Sequence, residues 1–382
     1  MEYTINQDLF TLYFTGELNS SNAELVEKDI EETLLKKSFK SLVLDFSHLT
    51  YISSAGLRII LKLKQKYHEV TISEASLEVY DVLSMTGFTN IMEVKKALKR
   101  VDISHAEVIG SGYFSTVYRI DKDTIIKVFN RVSDPEQIER ELKLAKQAFV
   151  LGIPTAISFD IVRVDDKLGV RFEMLDCMSL KQAFIDNPKD YDSLVDRYVS
   201  LLKKINSIDC EDPSIPSMKS FYLEKLEKIK DLLGKDYYAK AQWLIDSLPD
   251  AMTFVHGDCH FKNIMVQGDE LLLIDMDTLS HGEPIFELAQ IMAPYVAFDL
   301  DDPGNAERFL GVSSDFASKL FNDVVNKYLG KDNEASKEKI AVLCYLHMVW
   351  WTITNEPKNN KRIEGNKKRL LELLDKYNDL KI

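Results

Sequence analysis

The sequence FVHGDCHFKNIMV at residues 254–266, followed by LLLIDMDT at residues 271–278, decides how most of this chain folds. It places Asp258 and Asn263 five positions apart on one loop, and Asp275 at the end of a short apolar strand. Phosphoryl transfer needs a carboxylate that orients or deprotonates the attacking hydroxyl, and oxygen ligands that hold magnesium against the nucleotide phosphates. Protein kinases use these residue types in this order. The spacing therefore predicts Asp258 as the catalytic base and Asn263 with Asp275 as magnesium ligands. A polar turn between two strands is the alternative.

A glycine-rich segment, VIGSGYFSTVYRI, lies upstream at residues 108–120. It predicts a hairpin over the nucleotide phosphates, because Gly110 and Gly112 let the backbone approach a ligand closely. Ser115 replaces the third glycine of the kinase pattern, and we expect the loop to close differently there. These residues are therefore candidates for nucleotide binding.

The strand TIIKVF that follows carries Lys127 between apolar residues. A lysine in such surroundings needs a specific partner, and it suits the α- and β-phosphates of a nucleotide. Glu141 on the next helix is the expected ion-pair partner, while Glu139 faces nearly the opposite side of that helix. In FEMLD, which reads as the hinge, backbone groups of Glu173, Met174 and Leu175 are candidates to bind an adenine edge.

Candidate contacts to the acceptor surround the catalytic loop. They are His260, which reads first as a structural loop residue, Glu283, Glu287 and Asp277, which is alternatively a second metal ligand. The aromatic run HMVWWTI, with Trp350 and Trp351, is more typical of a core than of a ligand cage. The basic segment KNNKRIEGNKKR, at residues 358–369, reads as a solvated face or as a contact to a phosphate-bearing substrate.

Composition excludes several classes of protein. The 382 residues carry a formal net charge of −13, which argues against a nucleic-acid-binding surface, since such a surface needs clustered lysine and arginine. No segment is apolar over the ~18 residues that a membrane span needs. No secretory signal is visible either, and we expect a cytoplasmic protein. The four cysteines are far apart and show no CxxC pair.

Strand and helix patterns alternate twice along the chain. In residues 1–100, the strands FTLYFTGEL, SLVLDF and EVTISEA alternate with the helices AELVEKDIEETLLKK and AGLRIILKLKQKY. This predicts an α/β domain with a mostly parallel sheet. The pattern then resets, and an α+β module of two lobes follows: a sheet-rich lobe at residues 104–176 and a helical lobe at residues 177–382.

The second module resembles the aminoglycoside phosphotransferase and choline kinase-like family, over about residues 104–300. The resemblance rests on HGDCHFKN and IDMD in place of the protein-kinase motifs, on GIPTAISFD after the lobe helix, and on GEPIFELAQI, in which Glu287 stands where an aspartate is more usual. It implies a two-lobed protein-kinase-like fold that uses ATP or GTP with Mg²⁺. It also implies a hydroxyl acceptor, which in this family is an aminoglycoside, choline, an amino acid or a sugar, or in some related enzymes a protein.

The segment LVLDFSHLTYISSAGLRIILKL, at residues 42–63, resembles the core of STAS domains, the family of sulphate transporters and anti-sigma-factor antagonists. By motif position, Asp45 corresponds to the strand-end aspartate and Ser54 to the phosphorylated serine. Many switch members carry an aspartate before that serine, whereas this chain has Ser53. Serine before an apolar run is also an ordinary helix cap, so Ser54 is a candidate phosphorylation site.

Three functions follow from these patterns. The first is a phosphotransferase for a small-molecule hydroxyl, regulated or tethered by the STAS-like domain. The second is a kinase that phosphorylates a STAS-domain serine, either Ser54 itself or one in a partner protein. The third is a nucleotide-sensing interaction protein without turnover, against which the complete aspartate, asparagine and aspartate set counts.

Overall fold

The computed structural model describes residues 1–35, 37–112, 115–130, 135–330 and 333–377. Two compact units are present: Met1–Asp102 with Val162–Asp166, and Ile103–Ile161 with Lys167–Ile382. Both predicted fold classes, α/β and two-lobed α+β, are confirmed. Among the described residues, no helix is both long and apolar enough to cross a membrane.

The first unit is a five-stranded sheet in the order β1-β2-β3-β4-β5 with three helices. The pair β1 and β2 is antiparallel, and the remaining pairs are parallel. Alternate residues of β2 and β3 are buried, because one face of the sheet packs on the helices. The elements are β1 (Glu2–Asn6), β2 (Leu9–Leu18), α1 (Ala23–Leu34), β3 (Ser41–Ile52), α2 (Ser54–Lys66), β4 (Glu69–Ala75), α3 (Leu77–Met85), β5 (Glu93–Lys96) and β6 (Lys99–Arg100).

Two features of this unit differ from the sequence prediction. The edge strand β1 was not predicted, although Tyr3 and Ile5 alternate with polar residues in EYTIN; all five residues are exposed in the structure. Strand β3 was expected to end at Phe46 but continues to Ile52, with a register irregularity against β2. Asp45 therefore lies within the strand rather than at its end, and its carboxylate accepts from the amide of Ser47 at 2.9 Å.

Helix α2 begins at the serine pair. Ser53 is the N-cap, and its hydroxyl accepts from the amide of Gly56 at 3.4 Å. Ser54 is the first helical residue and its side chain is exposed. A Cβ at Gly56 would lie 2.7 Å from Cγ of Leu18 and 2.9 Å from its carbonyl oxygen, so only glycine allows the helix to approach β2 this closely.

The sheet-rich lobe of the second unit holds strands in the order β10-β11-β9-β8-β7, with one helix. The pairs β7–β8, β8–β9 and β9–β11 are antiparallel. Its elements are β7 (Glu107–Ser111), β8 (Ser115–Arg119), β9 (Thr124–Phe129), α4 (Pro135–Val150), β10 (Ser158–Val164) and β11 (Lys167–Glu173).

The helical lobe surrounds a large apolar core, in which Leu202, Phe261 and Leu343 are fully buried. Short strands interrupt the helices and carry the catalytic loop. The elements are β12 (Met178–Ser179), α5 (Leu180–Asp186), α6 (Tyr191–Ile205), α7 (Met218–Lys228), α8 (Lys230–Leu233), α9 (Lys235–Asp246), β13 (Phe254–Val255), β14 (Ile264–Gln267), β15 (Glu270–Leu273), β16 (Ser280–His281), α10 (Ile285–Met292), α11 (Phe298–Asp301), α12 (Asn305–Phe309), α13 (Ser314–Leu329), α14 (Glu334–Asn355) and α15 (Asn360–Leu374).

The basic segment near the C-terminus is only partly the solvated face that its composition suggested. It forms most of α15, and Arg362 is buried there against Glu356, with guanidinium-to-carboxylate distances of 2.8 and 2.9 Å. Arg369 pairs with Asp301. These arginines stabilise the packing of the last helix, because burial of a guanidinium requires a carboxylate partner.

Candidate active site

The catalytic loop, residues 256–263, connects β13 to β14 and holds Asp258 beside Asn263. The side-chain amide of Asn263 donates to the backbone carbonyl of Asp258 at 3.0 Å and to its carboxylate at 2.9 Å. These two bonds orient the Asp258 carboxylate and use the amide hydrogens of Asn263. The amide oxygen of Asn263 is therefore turned away from Asp258 and remains a candidate metal ligand.

Lys127, Glu141 and Asp275 form one ion-paired group. The ammonium of Lys127 lies 2.7 Å from a carboxylate oxygen of Glu141 and 2.7 Å from one of Asp275. Burial lowers the pKa of Lys127, but the charges of Asp275 and Glu141 outweigh this and hold that pKa above its usual value. The lysine is therefore fully charged. Glu139, the weaker candidate partner, is exposed on the other side of α4.

Asp258 and Asp277 lie in the field of Asp275. The side chain of Asp258 is 45% exposed to solvent. Burial of the rest of the carboxyl group, together with the charge of Asp275, nevertheless raises the pKa of Asp258 to about 7. Asp277 presents an exposed edge beside the same group, and the same two causes raise its pKa. An approaching cation stabilises the ionised form of each of these carboxyl groups.

A buried carboxylate and two buried tyrosines form hydrogen bonds to the backbone of the catalytic loop. Glu287 accepts from the backbone amides of His256 at 2.6 Å and Gly257 at 3.2 Å. The hydroxyl of Tyr198 donates to the carbonyl of Cys259, and that of Tyr295 accepts from the amide of Phe261 at 2.8 Å. These bonds help to fix the loop backbone, because they pair amides and carbonyls that lie outside a regular strand or helix.

The prediction that Glu287 contacts the acceptor is therefore wrong. It is fully buried beneath the loop, and burial raises its pKa to about 7, although the backbone amides act in the opposite direction. The signal that would have shown this is local: Glu287 is the lone carboxylate within the apolar run PIFELAQI. A carboxylate there must be buried with donors around it.

The two histidines of the loop have different surroundings. His256 accepts from the amide of Asp258 on Nδ1 and faces the carbonyl of Ile274 with Nε2, each at 3.2 Å. Burial lowers the pKa of both His256 and His260 to about 4, so both rings are neutral. His260 places Nε2 3.6 Å from the carboxylate of Asp258 and packs edge-on against Phe309. It lies beside the proposed reaction centre, where a substrate contact stays a prediction.

The glycine-rich hairpin is formed by β7 and β8. The amide of Gly112 donates to the carbonyl of Ser115 at 2.9 Å, which closes the hairpin near its tip. The tip itself, residues 113–114, lies outside the described residues. A Cβ at Gly110 or Gly112 would meet only ordinary contacts at 3.7 Å, and neither has a positive φ. The protein's own packing does not require these glycines, so a ligand above the hairpin remains the better reason for them.

At the hinge, two of the three backbone amides that are candidates to bind an adenine edge already donate to backbone carbonyls of the protein. The amide of Glu173 donates to the carbonyl of Ile157 and that of Met174 to the carbonyl of Asp123, each at 2.8 Å. In the described part of the chain, the amide of Leu175 donates to no backbone carbonyl. The prediction for the hinge is therefore narrowed to the amide of Leu175 and the backbone carbonyls.

Glu283 stands apart from the loop. It is half-buried just before α10, and its charge raises the pKa of Tyr328 on α13, a smaller contribution than burial and Glu287 make. No hydrogen bond or ion pair joins its side chain to the catalytic loop within the described ranges. The structure thus gives no direct support for Glu283 as a substrate contact.

The oxygen donors of Asn263 and Asp275 fit a magnesium ion. Mg²⁺ prefers oxygen ligands, and nucleotide sites bind it through one or two carboxylates together with the phosphates. In the part of the chain that the structure describes, no group of three or more histidine, cysteine, aspartate or glutamate side chains is arranged to hold a metal. An ion held here would therefore depend on the nucleotide for its remaining ligands.

Comparison with known proteins identifies both units. A model of the phosphotransferase enzyme family matches residues 105–312, and a model of the STAS domain matches residues 1–101. BtrV of Bordetella bronchiseptica, which is named as an anti-sigma factor antagonist, is 37% identical over 83 residues, or 21% of this chain and 71% of that protein. The anti-sigma F factor antagonist of Paenibacillus polymyxa is 24% identical over 98 residues, or 25% of this chain and 84% of that protein.

One solved structure shares the fold of the second unit. It is a mutant of the aminoglycoside phosphotransferase APH(4)-Ia in a ternary complex with ADP and hygromycin B. The likeness has a TM-score of 0.50 and 10% sequence identity, and it covers 72% of this chain and 95% of that one. At this identity the likeness establishes the fold and leaves the substrate open.

Proposed function

We propose that this chain, which belongs to the phosphotransferase enzyme family, transfers the terminal phosphate of ATP or GTP to the hydroxyl of a small molecule. The observation that carries the proposal is a pair of neighbouring arrangements: Asp258 held by Asn263, and Lys127 held by Glu141 and Asp275. The proposal assigns nucleotide binding to residues 104–176 and catalysis with acceptor binding to residues 177–382. Residues 1–100 would regulate or tether the enzyme.

In the reaction, the acceptor hydroxyl donates its proton to the carboxylate of Asp258 as its oxygen bonds to the terminal phosphorus. The bond from that phosphorus to the bridging oxygen breaks, and the nucleoside diphosphate leaves with the electron pair. Lys127 holds the α- and β-phosphates and offsets their charge. Asn263 and Asp275 would hold Mg²⁺, which neutralises charge on the phosphates when bound.

The nucleotide base is proposed to lie at the hinge and under the glycine-rich hairpin. The amide of Leu175 is the donor for a ring nitrogen, and the carbonyl of Glu173 accepts from an exocyclic amine. Gly110, Gly112 and Ser115 border the phosphates. ADP in the similar ternary complex shows that this fold accommodates a nucleotide.

A direct test compares wild type with Asp258→Asn for magnesium-dependent hydrolysis of ATP, in which water takes the place of the acceptor hydroxyl and ADP and phosphate are released. The amide cannot accept the hydroxyl proton, so we expect turnover to fall by about 10²- to 10⁴-fold while AMP-PNP affinity changes little. Asn keeps the size of the side chain and a hydrogen-bond acceptor for Asn263. Unchanged turnover in Asp258→Asn, or a wild type that binds nucleotide and never turns it over, contradicts the assignment.

A protein acceptor is the second candidate, because Ser54 is exposed at the first turn of α2. An anion is favoured there by the free backbone amides and the helix dipole, so a phosphoserine would be tolerated. The relatives of the first unit are named as anti-sigma factor antagonists. Intact-mass spectrometry after incubation with Mg²⁺ and ATP decides: one added phosphate, lost in both Ser54→Ala and Asp258→Asn, would favour this function over a small-molecule acceptor.

A further inference from the structure

Lys262 projects from the catalytic loop itself, one residue before Asn263. Its ammonium donates to the carbonyl of Phe309 at 2.9 Å and lies 4.6 Å from the centre of the Phe309 ring. The same ring packs edge-on against His260 with 5.4 Å between ring centres. Lys262 is thus held on the side of Asp258 that His260 and Phe309 border.

Lys181, in the first turn of α5, reaches the same place from another element. Its backbone amide donates to the carbonyl of Phe261 at 3.2 Å, which ties α5 to the catalytic loop. Its ammonium lies against Gly311, where a side chain of any other residue would meet it. Since Phe309 ends α12 and Gly311 follows two residues later, the two ammonium groups converge beside the loop.

No carboxylate pairs with either lysine among the residues that the structure describes. Lys127 differs, because two carboxylates at 2.7 Å neutralise it. The C-terminal carbonyls of α12 explain one hydrogen bond of Lys262, but they leave the charge of Lys181 without a partner.

We propose, on the basis of the phosphotransferase function above, that Lys181 and Lys262 bind an anionic group of the acceptor, a carboxylate or a phosphate. The acceptor would place its hydroxyl at Asp258 and its anion at the two lysines, with the half-exposed ring of Phe309 as an apolar wall between them. Two close, unpaired ammonium groups attract such an anion and repel a polyamine. Hygromycin B, the aminoglycoside bound in the similar structure, belongs to the class that this arrangement disfavours.

The test measures anion binding without turnover. The full chain is saturated with Mg²⁺ and AMP-PNP, so that the nucleotide fills the donor site, and inorganic phosphate and acetate are titrated separately by calorimetry. We expect one anion site, and the tighter probe identifies whether the acceptor carries a phosphate or a carboxylate. Lys181→Met and Lys262→Met should each weaken it about tenfold or more, the size of one charge-assisted hydrogen bond.

Two controls separate charge from folding. Lys262→Arg keeps a cation beside Phe309 and should retain binding within about threefold, while Lys228→Met removes an exposed lysine of α7 and should change nothing. Nucleotide affinity shows whether each variant is folded. Absence of any anion site, or wild-type anion affinity in both methionine variants, overturns the anionic acceptor alone. Failure of wild type to bind AMP-PNP overturns the proposed function as well.

Discussion

A buried lysine far from any carboxylate gives a quantitative test of the helical lobe. Lys225 on α7 is only 1% exposed, and its Nζ is hydrogen-bonded to Nδ1 of His347 at 2.7 Å. Three aromatic rings surround it, with centres 3.7 Å away for Phe221 and 4.7 Å away for Tyr222 and Trp350. No ion pair of Lys225 occurs within the described residues. Burial therefore lowers its pKa well below the usual 10.5.

Replacing Lys225 with methionine removes the titrating group and keeps an unbranched side chain of similar length. Below pH 10.5 the unfolded chain holds the lysine proton, whereas the folded chain lacks it down to its lowered pKa. Unfolding takes up one proton in that window, so the stability of wild type rises with pH by up to about 1.4 kcal/mol per unit. Lys225→Met is expected to be the more stable protein at neutral pH, and its advantage should shrink at that rate as pH rises.

Urea unfolding followed by tryptophan fluorescence at pH 7, 8 and 9 measures this difference. All three tryptophans, Trp243, Trp350 and Trp351, lie in the helical lobe, so the signal reports that lobe. Lys228→Met, on the exposed face of the same helix, controls for removal of a surface charge and should show a flat difference. If the difference in unfolding free energy between wild type and Lys225→Met is the same at all three pH values, the aromatic cage holds a charged ammonium and the reasoning is refuted.

Three further changes test other parts of the chain. Gly56→Ala should destabilise the first unit by about 1–2 kcal/mol, because the cost of the clash with Leu18 exceeds the gain from the better helix propensity of alanine. Calorimetry compares the unfolding temperatures of the variant and wild type, and equal temperatures would show that Leu18 moves aside without cost. Glu287→Gln should cost about 2 kcal/mol by urea unfolding, through loss of charged hydrogen bonds to the catalytic loop, and should lower turnover while AMP-PNP affinity holds. Lys127→Met should lower turnover by about 100-fold or more, with Lys127→Arg partly restoring it, and full turnover in Lys127→Met would remove this lysine from the phosphate site.

The sequence predicted the residues whose chemical type and spacing are both constrained. Asp258, Asn263 and Asp275 were predicted because metal and hydroxyl chemistry admit few alternatives at each position, and their catalytic and metal-binding roles stay predictions. The lysine partner Glu141 was found because helix geometry separates it from Glu139. These predictions needed only the local order of residues, and in the structure Asn263 contacts Asp258 while Lys127 contacts Glu141 and Asp275.

The predictions that failed depended on burial, which local order does not reveal. Glu287 was placed in the substrate region, although α10 carries it beneath the loop. Arg362 was read as solvated because its neighbours are basic, but tertiary packing pairs it with Glu356. Lys181 and Lys262 attracted no notice, because lysines at a helix start or in a loop are usually solvated. Only the fold brings the first of them beside the second.

The proposed reaction accounts for the different charges on the two sides of Asp258. On the proposed donor side, Lys127 is paired with Glu141 and Asp275. When a nucleotide binds there with its metal, Lys127 would pair with the phosphates and Asp275 with the metal, so neither group would be left unpaired. On the proposed acceptor side, Lys181 lies against Gly311 and Lys262 donates to the carbonyl of Phe309, and neither has a carboxylate partner among the described residues. An acceptor anion brought within reach of a nucleotide polyphosphate would be repelled by it, and unpaired cations offset that repulsion where the two substrates meet. A neutral or cationic acceptor needs no such offset. These two lysines, rather than the carboxylate of Asp258, therefore indicate the charge of the proposed acceptor.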